Sequence, residues 1–137
     1  MIDSISLGLL ERLVDPQVIQ TQLTKEQALA AMQQNVFAGQ AYVFRHGQTV
    51  WYMVYRSRFV GDLHVFSEEK SANIIKSARA MFDDARQRGL HRVEARTHNK
   101  GFLPLAKRCG MTFEGIRYQS YFTVSRFIDE YELGLIL

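Results

Sequence analysis

A strand, a long amphipathic helix and a second strand follow one another in the middle of this chain, and their order most constrains the fold. Residues 59–66 and 92–97 have the composition and alternation of strands. Between them, apolar side chains recur at helical spacing and form one stripe, at Ile74, Ala78, Met81, Phe82 and Ala85. Gly89 stands where a left-handed residue would end this helix. Such a crossover joins two parallel strands and places the helix on one face of a sheet.

The flanking segments extend this unit into a larger sheet. Short runs bounded by turn residues predict four further strands, at 41–45, 49–56, 113–122 and 127–137. Two more helices are predicted nearer the start of the chain, one over 7–14 and one behind the capping-box pair Thr24 and Gln27. The predicted fold class is therefore α/β (α+β). It is a mixed, mostly antiparallel sheet with a central parallel pair and helices on both faces, in a single domain over 1–137.

Composition narrows the function classes. The 137 residues are 47% hydrophobic and 23% charged, an ordinary globular mixture. The net charge of +3 is spread along the chain, so nucleic-acid binding is not expected. Arg92, Glu94 and Arg96 alternate along one strand and are predicted to form a solvated face. A single cysteine, Cys109, excludes an internal disulfide and a Cys-based zinc site, and the histidines lack metal-ligand spacing, so no metal is expected. No signal peptide or membrane span is visible, and we expect a cytoplasmic protein.

The second half of the chain, residues 88–133, carries the most specific motifs. A strand is followed by Asn99, a short helix ends on Gly110, and the triplet Phe-Glu-Gly at 113–115 opens a long pair of strands. This order resembles the C-terminal half of the GNAT acyltransferases, and most of all the branch that acylates ribosomal-protein N-termini. The resemblance implies acetyl transfer from acetyl-CoA to an amine of a small molecule or protein. It also implies that the two parallel strands splay apart at the cofactor site.

The resemblance also assigns the cofactor residues. In the superfamily, pantetheine lies between the splayed strands, and the next loop binds the pyrophosphate with backbone N–H groups at a helix N-terminus. Here the loop pattern is degenerate, because Asn73 replaces the first glycine and Ile75 replaces a small residue, while Lys70 takes the basic position. The implied cofactor-binding residues are Val65, Phe66, Lys70, Ser71, Ala72, Asn73, Asn99 and Arg108.

Some of these positions also have simpler structural interpretations. Ser67 is a residue type that caps helices, and Glu68 and Glu69 would then be ordinary acids in the first helical turn. On that interpretation the helix holds its own counter-charge and needs no phosphate. Asn99 would equally serve as the cap of the short helix that follows it.

A transferase of this kind needs a base for the amine and an acid for the leaving thiolate. Asp62 and His64 lie two residues apart on one strand and therefore share a face, and a histidine has an unperturbed pKa of about 6.5. The resemblance places the acid four residues before Gly110, where this chain has Ala106. Tyr118, on the next strand, is the candidate substitute. The candidate catalytic residues are Asp62, His64 and Tyr118.

A second function class fits the same fold. Shortened, motif-poor versions of it resemble structural or assembly proteins of tailed-phage particles, and such a chain would be catalytically inactive. It would bind protein partners and be located in the virion, whereas the enzyme would bind acetyl-CoA and an amine acceptor. On either interpretation, the C-terminal strands would permit a homodimer through sheet edges.

Overall fold

The computed structural model describes residues 1–15, 22–123 and 126–137, and it describes the side chains in these ranges outside 121–127. The helices are α1 (Ser4–Leu13), α2 (Lys25–Phe37), α3 (Ser71–Gln87) and α4 (Leu103–Arg108), with a short 3-10 turn at Lys100–Phe102. The strands are β1 (Ala41–His46), β2 (Thr49–Tyr55), β3 (Val60–Ser67), β4 (Arg92–Thr97), β5 (Thr112–Thr123) and β6 (Arg126–Ile136). None of the described helices is long and apolar enough to cross a membrane.

The strands form one mixed sheet in the order β1-β2-β3-β4-β6-β5. The pair β3 and β4 is parallel, and the other neighbouring strands are antiparallel. Helices cover both faces, because α1 and α2 pack on one core and α3 and α4 on the other. The predicted fold class is confirmed, and the crossover helix α3 is the element that makes the central pair parallel.

Helix α3 shows why the apolar stripe predicted its position. Ala78, Met81, Phe82 and Ala85 are buried against the sheet, and burying large apolar side chains is the main favourable contribution to such packing. On the same face, the indole Nε1 of Trp51 donates a buried hydrogen bond of 2.7 Å to Ser77 Oγ. The helix is followed by Gly89 at φ 90°, as predicted for a left-handed cap.

The start of α2 agrees with the prediction from the sequence, whereas the start of α1 does not. The capping box of Thr24 and Gln27 is formed as predicted. The first helix begins at Ser4, three residues before the predicted start, because the Asp3 carboxylate accepts hydrogen bonds from Ser6 N at 2.9 Å and Ser6 Oγ at 2.7 Å. These two bonds also lower the pKa of Asp3. The helix ends at Leu13, one residue before the predicted end.

Strand β5 is an edge of the sheet, and it carries an irregularity opposite β6. The register shifts between Arg117 and Tyr121. Within this stretch Gln119 has a φ of 51°, and its backbone N–H donates to Asp129 Oδ1 at 2.9 Å. A non-glycine residue in this conformation is uncommon and marks a bulge. The bulge interrupts the edge ladder, which makes this edge a poorer template for pairing with another chain.

Candidate active site

The parallel strands β3 and β4 are paired over only part of their length. Their register runs through three residue pairs, Val60 with Arg92, Gly61 with Val93 and Asp62 with Glu94. Beyond that point β3 continues to Ser67 and β4 to Thr97 without pairing to each other. A gap therefore opens in the sheet after Asp62, as the resemblance implied. The edge of β3 facing this gap has backbone N–H and C=O groups available, since its other edge pairs with β2.

A cavity of about 310 Å³ lies in this gap. Both splayed strands and the helices on either side supply its walls, and most of the lining side chains are apolar. Within the described part of the chain, the cavity is lined by Leu13, Trp51, Leu63, His64, Val65, Phe66, Ser67, Ile74, Phe82, Ala95, Arg96, Thr97, Asn99, Phe102, Ala106, Cys109 and Met111. A concave apolar cavity with a few polar groups and two open strand edges can bind a slender ligand that carries amide groups.

The loop between β3 and α3 differs from the helix-cap interpretation. Helix α3 begins at Ser71, its N-cap is Lys70, no side chain caps it, and no acidic residue stands in its first turn. The expectation that Ser67 caps the helix, with Glu68 and Glu69 in its first turn, is therefore wrong. The loop extends further before it turns helical, because both carboxylates find partners elsewhere in the fold.

Each glutamate of this loop is held by a different part of the molecule. Glu68 pairs with Arg12 of α1, with an Nε–Oε1 distance of 2.8 Å. Glu69 accepts a hydrogen bond of 2.6 Å from the backbone N–H of Gln48, in the turn between β1 and β2, and one of 3.3 Å from Thr49 Oγ1. The first turn of α3 is thus left with exposed residues and a lysine at its cap. An uncapped helix N-terminus beside a cation is suited to an anion.

The two degenerate loop positions lie apart from the cavity lining. Asn73 is exposed in the first turn of α3, where its side chain occupies no cavity space. Ile74, not Ile75, lines the cavity and packs on the core. The substitution of Ile75 for a small residue therefore does not fill the gap between the strands.

Asp62 and His64 share the face of β3 toward α1, but their environments differ. His64 lines the cavity. Burial lowers the pKa of His64, the charge of Asp62 opposes this and that of Arg96 adds to it, so the imidazole is neutral at pH 7. Asp62 Oδ2 lies 3.4 Å from Arg96 Nη2 and 3.7 Å from Arg56 Nε. Burial raises the pKa of Asp62 in spite of these two cations.

The structure does not bring Tyr118 to the cavity. Tyr118 lies on the edge strand β5 with 75% of its surface exposed, outside the lining. The position where the resemblance placed an acid, Ala106, is buried in the cavity wall. Cys109, the residue that follows α4, also lines the cavity, and burial raises the pKa of its thiol while Arg108 opposes the shift. The thiol is therefore protonated at neutral pH.

Asn99 is a helix cap, as one interpretation of the sequence predicted, and it also borders the cavity. Its Oδ1 accepts a hydrogen bond of 3.0 Å from Gly101 N and caps the short turn that precedes α4. The residue also lines the cavity. Arg108 is exposed in the last turn of α4, outside the lining.

The sequence interpretation missed Arg96 as a site residue. Of the strand face predicted to be solvated, Arg92 and Glu94 are joined by an ion pair of 3.0 Å, and further pairs link them to Glu114 and Arg56. Arg96 is exposed, as predicted, and it also lines the cavity, because it lies on β4 beyond the last residue paired to β3. No local pattern in the sequence marks this role, because the point at which β4 separates from β3 is a tertiary feature.

Solved structures of other proteins share the fold of this chain, although its sequence matches no known family. No protein-family model matches the sequence, and no curated protein matches it. Among solved structures, the ribosomal-protein-alanine N-acetyltransferase from Brucella melitensis is similar, with a TM-score of 0.75 and 17% identity over 99% of this chain and 97% of that one.

Two further solved structures are similar. One is an acetyltransferase from Salmonella typhimurium that modifies the N-terminal serine of a ribosomal protein (TM-score 0.76, 16% identity, 98% of this chain and 91% of that one). The other is the spermidine N-acetyltransferase from Vibrio cholerae in complex with CoA and spermine (TM-score 0.70, 11% identity, 98% and 92%). At these identities the likeness establishes the fold, which is that of the GNAT acetyltransferases.

Proposed function

We propose that this protein is an N-acyltransferase that moves an acetyl group from acetyl-CoA to an amine. The observation that carries the proposal is the gap between β3 and β4, which opens after Asp62 into a cavity lined by both strands. Similar structures include a putative acetyltransferase from Salmonella typhimurium with acetyl-CoA as its cofactor (TM-score 0.75, 18% identity). That protein supports the choice of cofactor.

The residues of this chain fit such a cofactor. The open edge of β3 at Val65 and Phe66 would pair with the amides of the pantetheine arm, beside Asn99. The first turn of α3, from Lys70 to Asn73, would hold the pyrophosphate, since its acids are bound elsewhere and its N-terminus is uncapped. Arg108, exposed at the end of α4, is the candidate for the adenosine phosphate. Bound acetyl-CoA would supply the acetyl group as a thioester.

His64 is the proposed base. It lines the cavity and is neutral at pH 7, so its imidazole can take the proton that the acceptor amine loses as the new C–N bond forms. Asp62 is a positioning residue in this scheme, because it contacts Arg96 and its charge favours the protonated form of His64. Tyr118 has no role in the scheme, since it is exposed on the edge strand.

A thermal-shift titration with acetyl-CoA tests the proposal. A ligand at 100 times its Kd stabilises the folded state by about 2.7 kcal/mol, which for 137 residues raises Tm by roughly 9 °C. Lys70→Glu should weaken acetyl-CoA binding without changing the Tm of the free protein, because Lys70 is exposed. Lys76→Glu, at an exposed position further along α3, is the matched control and should bind normally. No shift at millimolar acetyl-CoA would refute the proposal.

The alternative is a catalytically inactive structural or assembly protein of the same fold, such as a phage virion component with protein partners. It is favoured by one observation: the position implied for the acid is Ala106, and the substitute Tyr118 lies away from the cavity. This alternative predicts no acetyl-CoA shift and no acetylated product with any amine. The titration above therefore separates the two functions.

A further inference from the structure

The cavity between β3 and β4 has a distinct charge character. Among the described lining residues, Arg96 is the one with a permanently charged side chain, and no aspartate or glutamate is present. Burial lowers the pKa of His64 and raises that of the Cys109 thiol, so both are neutral near pH 7. A polycationic acceptor would find no counter-charge in this lining, whereas an acceptor with an anionic group would find a guanidinium.

Arg96 retains hydrogen-bonding capacity for such a group. Its described ion pair is with Asp62, at a long Nη2–Oδ2 distance of 3.4 Å. In contrast, Arg92 on the same strand face binds Glu94 through Nε at 3.0 Å and Glu114 through Nη2. A guanidinium has five N–H donors in a planar fork that matches a carboxylate. The same Asp62 Oδ2 also lies 3.7 Å from Arg56 Nε, so this carboxylate is shared between two guanidinium groups.

The register of the splayed strands places Arg96 and His64 on opposite walls of the gap. The last parallel pair is Asp62 with Glu94, so two residues further along, on the same face, His64 corresponds to Arg96. Both residues line the cavity, and the charge of Arg96 is close enough to lower the pKa of His64. A ligand between these walls would face a base, His64, on β3 and a cation, Arg96, on β4.

We propose that the acceptor is a free amino acid, whose α-carboxylate binds Arg96 while its α-amine faces His64. This inference rests on the proposed acetyl transfer and adds the class of acceptor. In the reaction the amine nitrogen bonds to the acetyl carbon, the carbon–sulfur bond of the thioester breaks, and the sulfur leaves with the electron pair. The amine proton goes to His64. Arg96 is not consumed, and it orients the amine by fixing the carboxylate two bonds away.

The test compares acceptors that differ only at the carboxylate. The wild-type protein is incubated with acetyl-CoA and the standard amino acids, the corresponding amino-acid amides, or spermidine, and acetylated products are quantified by mass spectrometry. We expect free amino acids to be acetylated, and the amides of the same amino acids to have kcat/KM values lower by about 10- to 100-fold, the range for losing one charge-assisted interaction. Spermidine should be a poor acceptor.

Variants at Arg96 assign the effect to one side chain. Arg96→Gln should lower kcat/KM for the free amino acid about 10- to 100-fold, through KM, and leave the amide unchanged. Arg96→Lys keeps the charge without the fork and should be intermediate. Arg92→Gln, on the same face but at the paired end of β4, is the control and should behave as wild type. Melting curves verify that each variant is folded.

The outcomes are distinguishable. Equal rates with amides and free amino acids would overturn the inference while acetyl-CoA binding and transfer remain intact. A loss of acetyl-CoA affinity in Arg96→Gln, with no change in acceptor preference, would assign Arg96 to the cofactor and also overturn it. Absence of any acetyl-CoA shift in the wild-type protein would instead refute the proposed function, and the acceptor assignment would fall with it.

Discussion

Glu69 binds the loop before α3 to the turn between β1 and β2, and its removal should lower the free energy of unfolding. Its carboxylate accepts hydrogen bonds from Gln48 N at 2.6 Å and from the fully buried Thr49 at 3.3 Å. It lies so close to Gly47 that a Cβ there would overlap Oε1. Hydrogen bonds to charged groups contribute about 1.5–3 kcal/mol, but Gln48 is exposed and water can replace its partner. We therefore expect Glu69→Ala to cost about 1–2 kcal/mol.

That cost converts into a measurable shift in Tm. Unfolding entropies of about 2.1 cal/mol/K per residue give roughly 0.29 kcal/mol/K for 137 residues, so Glu69→Ala should lower Tm by about 3–7 °C. Because the loop leads into the first turn of α3, the same variant should also weaken acetyl-CoA binding. The assay is a thermal melt with and without acetyl-CoA. Glu69→Gln, which retains one acceptor oxygen, should recover part of both losses.

Glu68 provides the matched control for Glu69. It is the neighbouring carboxylate, but its ion pair with Arg12 is exposed to solvent on both sides. Exposed pairs contribute little to stability, so Glu68→Gln should shift Tm less than Glu69→Ala does. Equal Tm values for Glu69→Ala and wild type, or an equal fall in both variants, would refute the view that Glu69 holds the loop.

Three further predictions concern buried polar groups. The pKa of His64 is lower in the folded state than in the unfolded state, so this residue makes the free energy of unfolding fall as the pH drops below about 6.5. Urea titrations at pH 7.5 and 5.5 measure that fall, which should be smaller in His64→Gln than in the wild-type protein. The pKa of Asp62 is raised in the folded state, so the free energy of unfolding falls as the pH rises from about 3.9 through the pKa of the folded state. Asp62→Asn should therefore be at least as stable as wild type at pH 7. A decrease of more than about 1 kcal/mol in its free energy of unfolding would contradict this. Ser77→Ala leaves the buried Trp51 N–H without its acceptor and should cost about 1–3 kcal/mol, measured by urea unfolding, with partial recovery on adding Trp51→Phe.

The fold was largely predictable because its elements have strong local signals. The apolar stripe of α3 and the alternation of β4 identified the crossover, and Arg92–Thr97 was predicted with the observed bounds. The errors lie where a single side chain decides an element's end. Asp3 starts α1 early by capping it, and the bulge at Gln119 falls inside a strand predicted to be continuous. Neither feature changes the hydrophobic pattern.

Only those features of the site that depend on neighbouring residues in the sequence were predictable. The shared face of Asp62 and His64 follows from the two-residue period of a strand. Which of them reaches the cavity depends on where β3 separates from β4, and that depends on tertiary pairing. Arg96 is exposed, as the alternation predicted, but its place in the cavity lining was missed, because alternation specifies a face of the sheet and not the gap beside it. The predicted homodimer and the location of the protein stay predictions.

The two glutamates of the β3–α3 loop show how tertiary contacts can reverse the meaning of a sequence feature. Read locally, Glu68 and Glu69 argue against a bound pyrophosphate, since carboxylates beside it would repel it. Their partners lie 56 and 21 positions away in the chain, at Arg12 and Gln48, and no local pattern reveals them. Once paired, both carboxylates are bound by residues outside α3, and no side chain caps the helix. The two residues that count against the proposed anion site in the sequence therefore do not cap α3 in the structure, and the proposed pyrophosphate site at its N-terminus stays compatible with them.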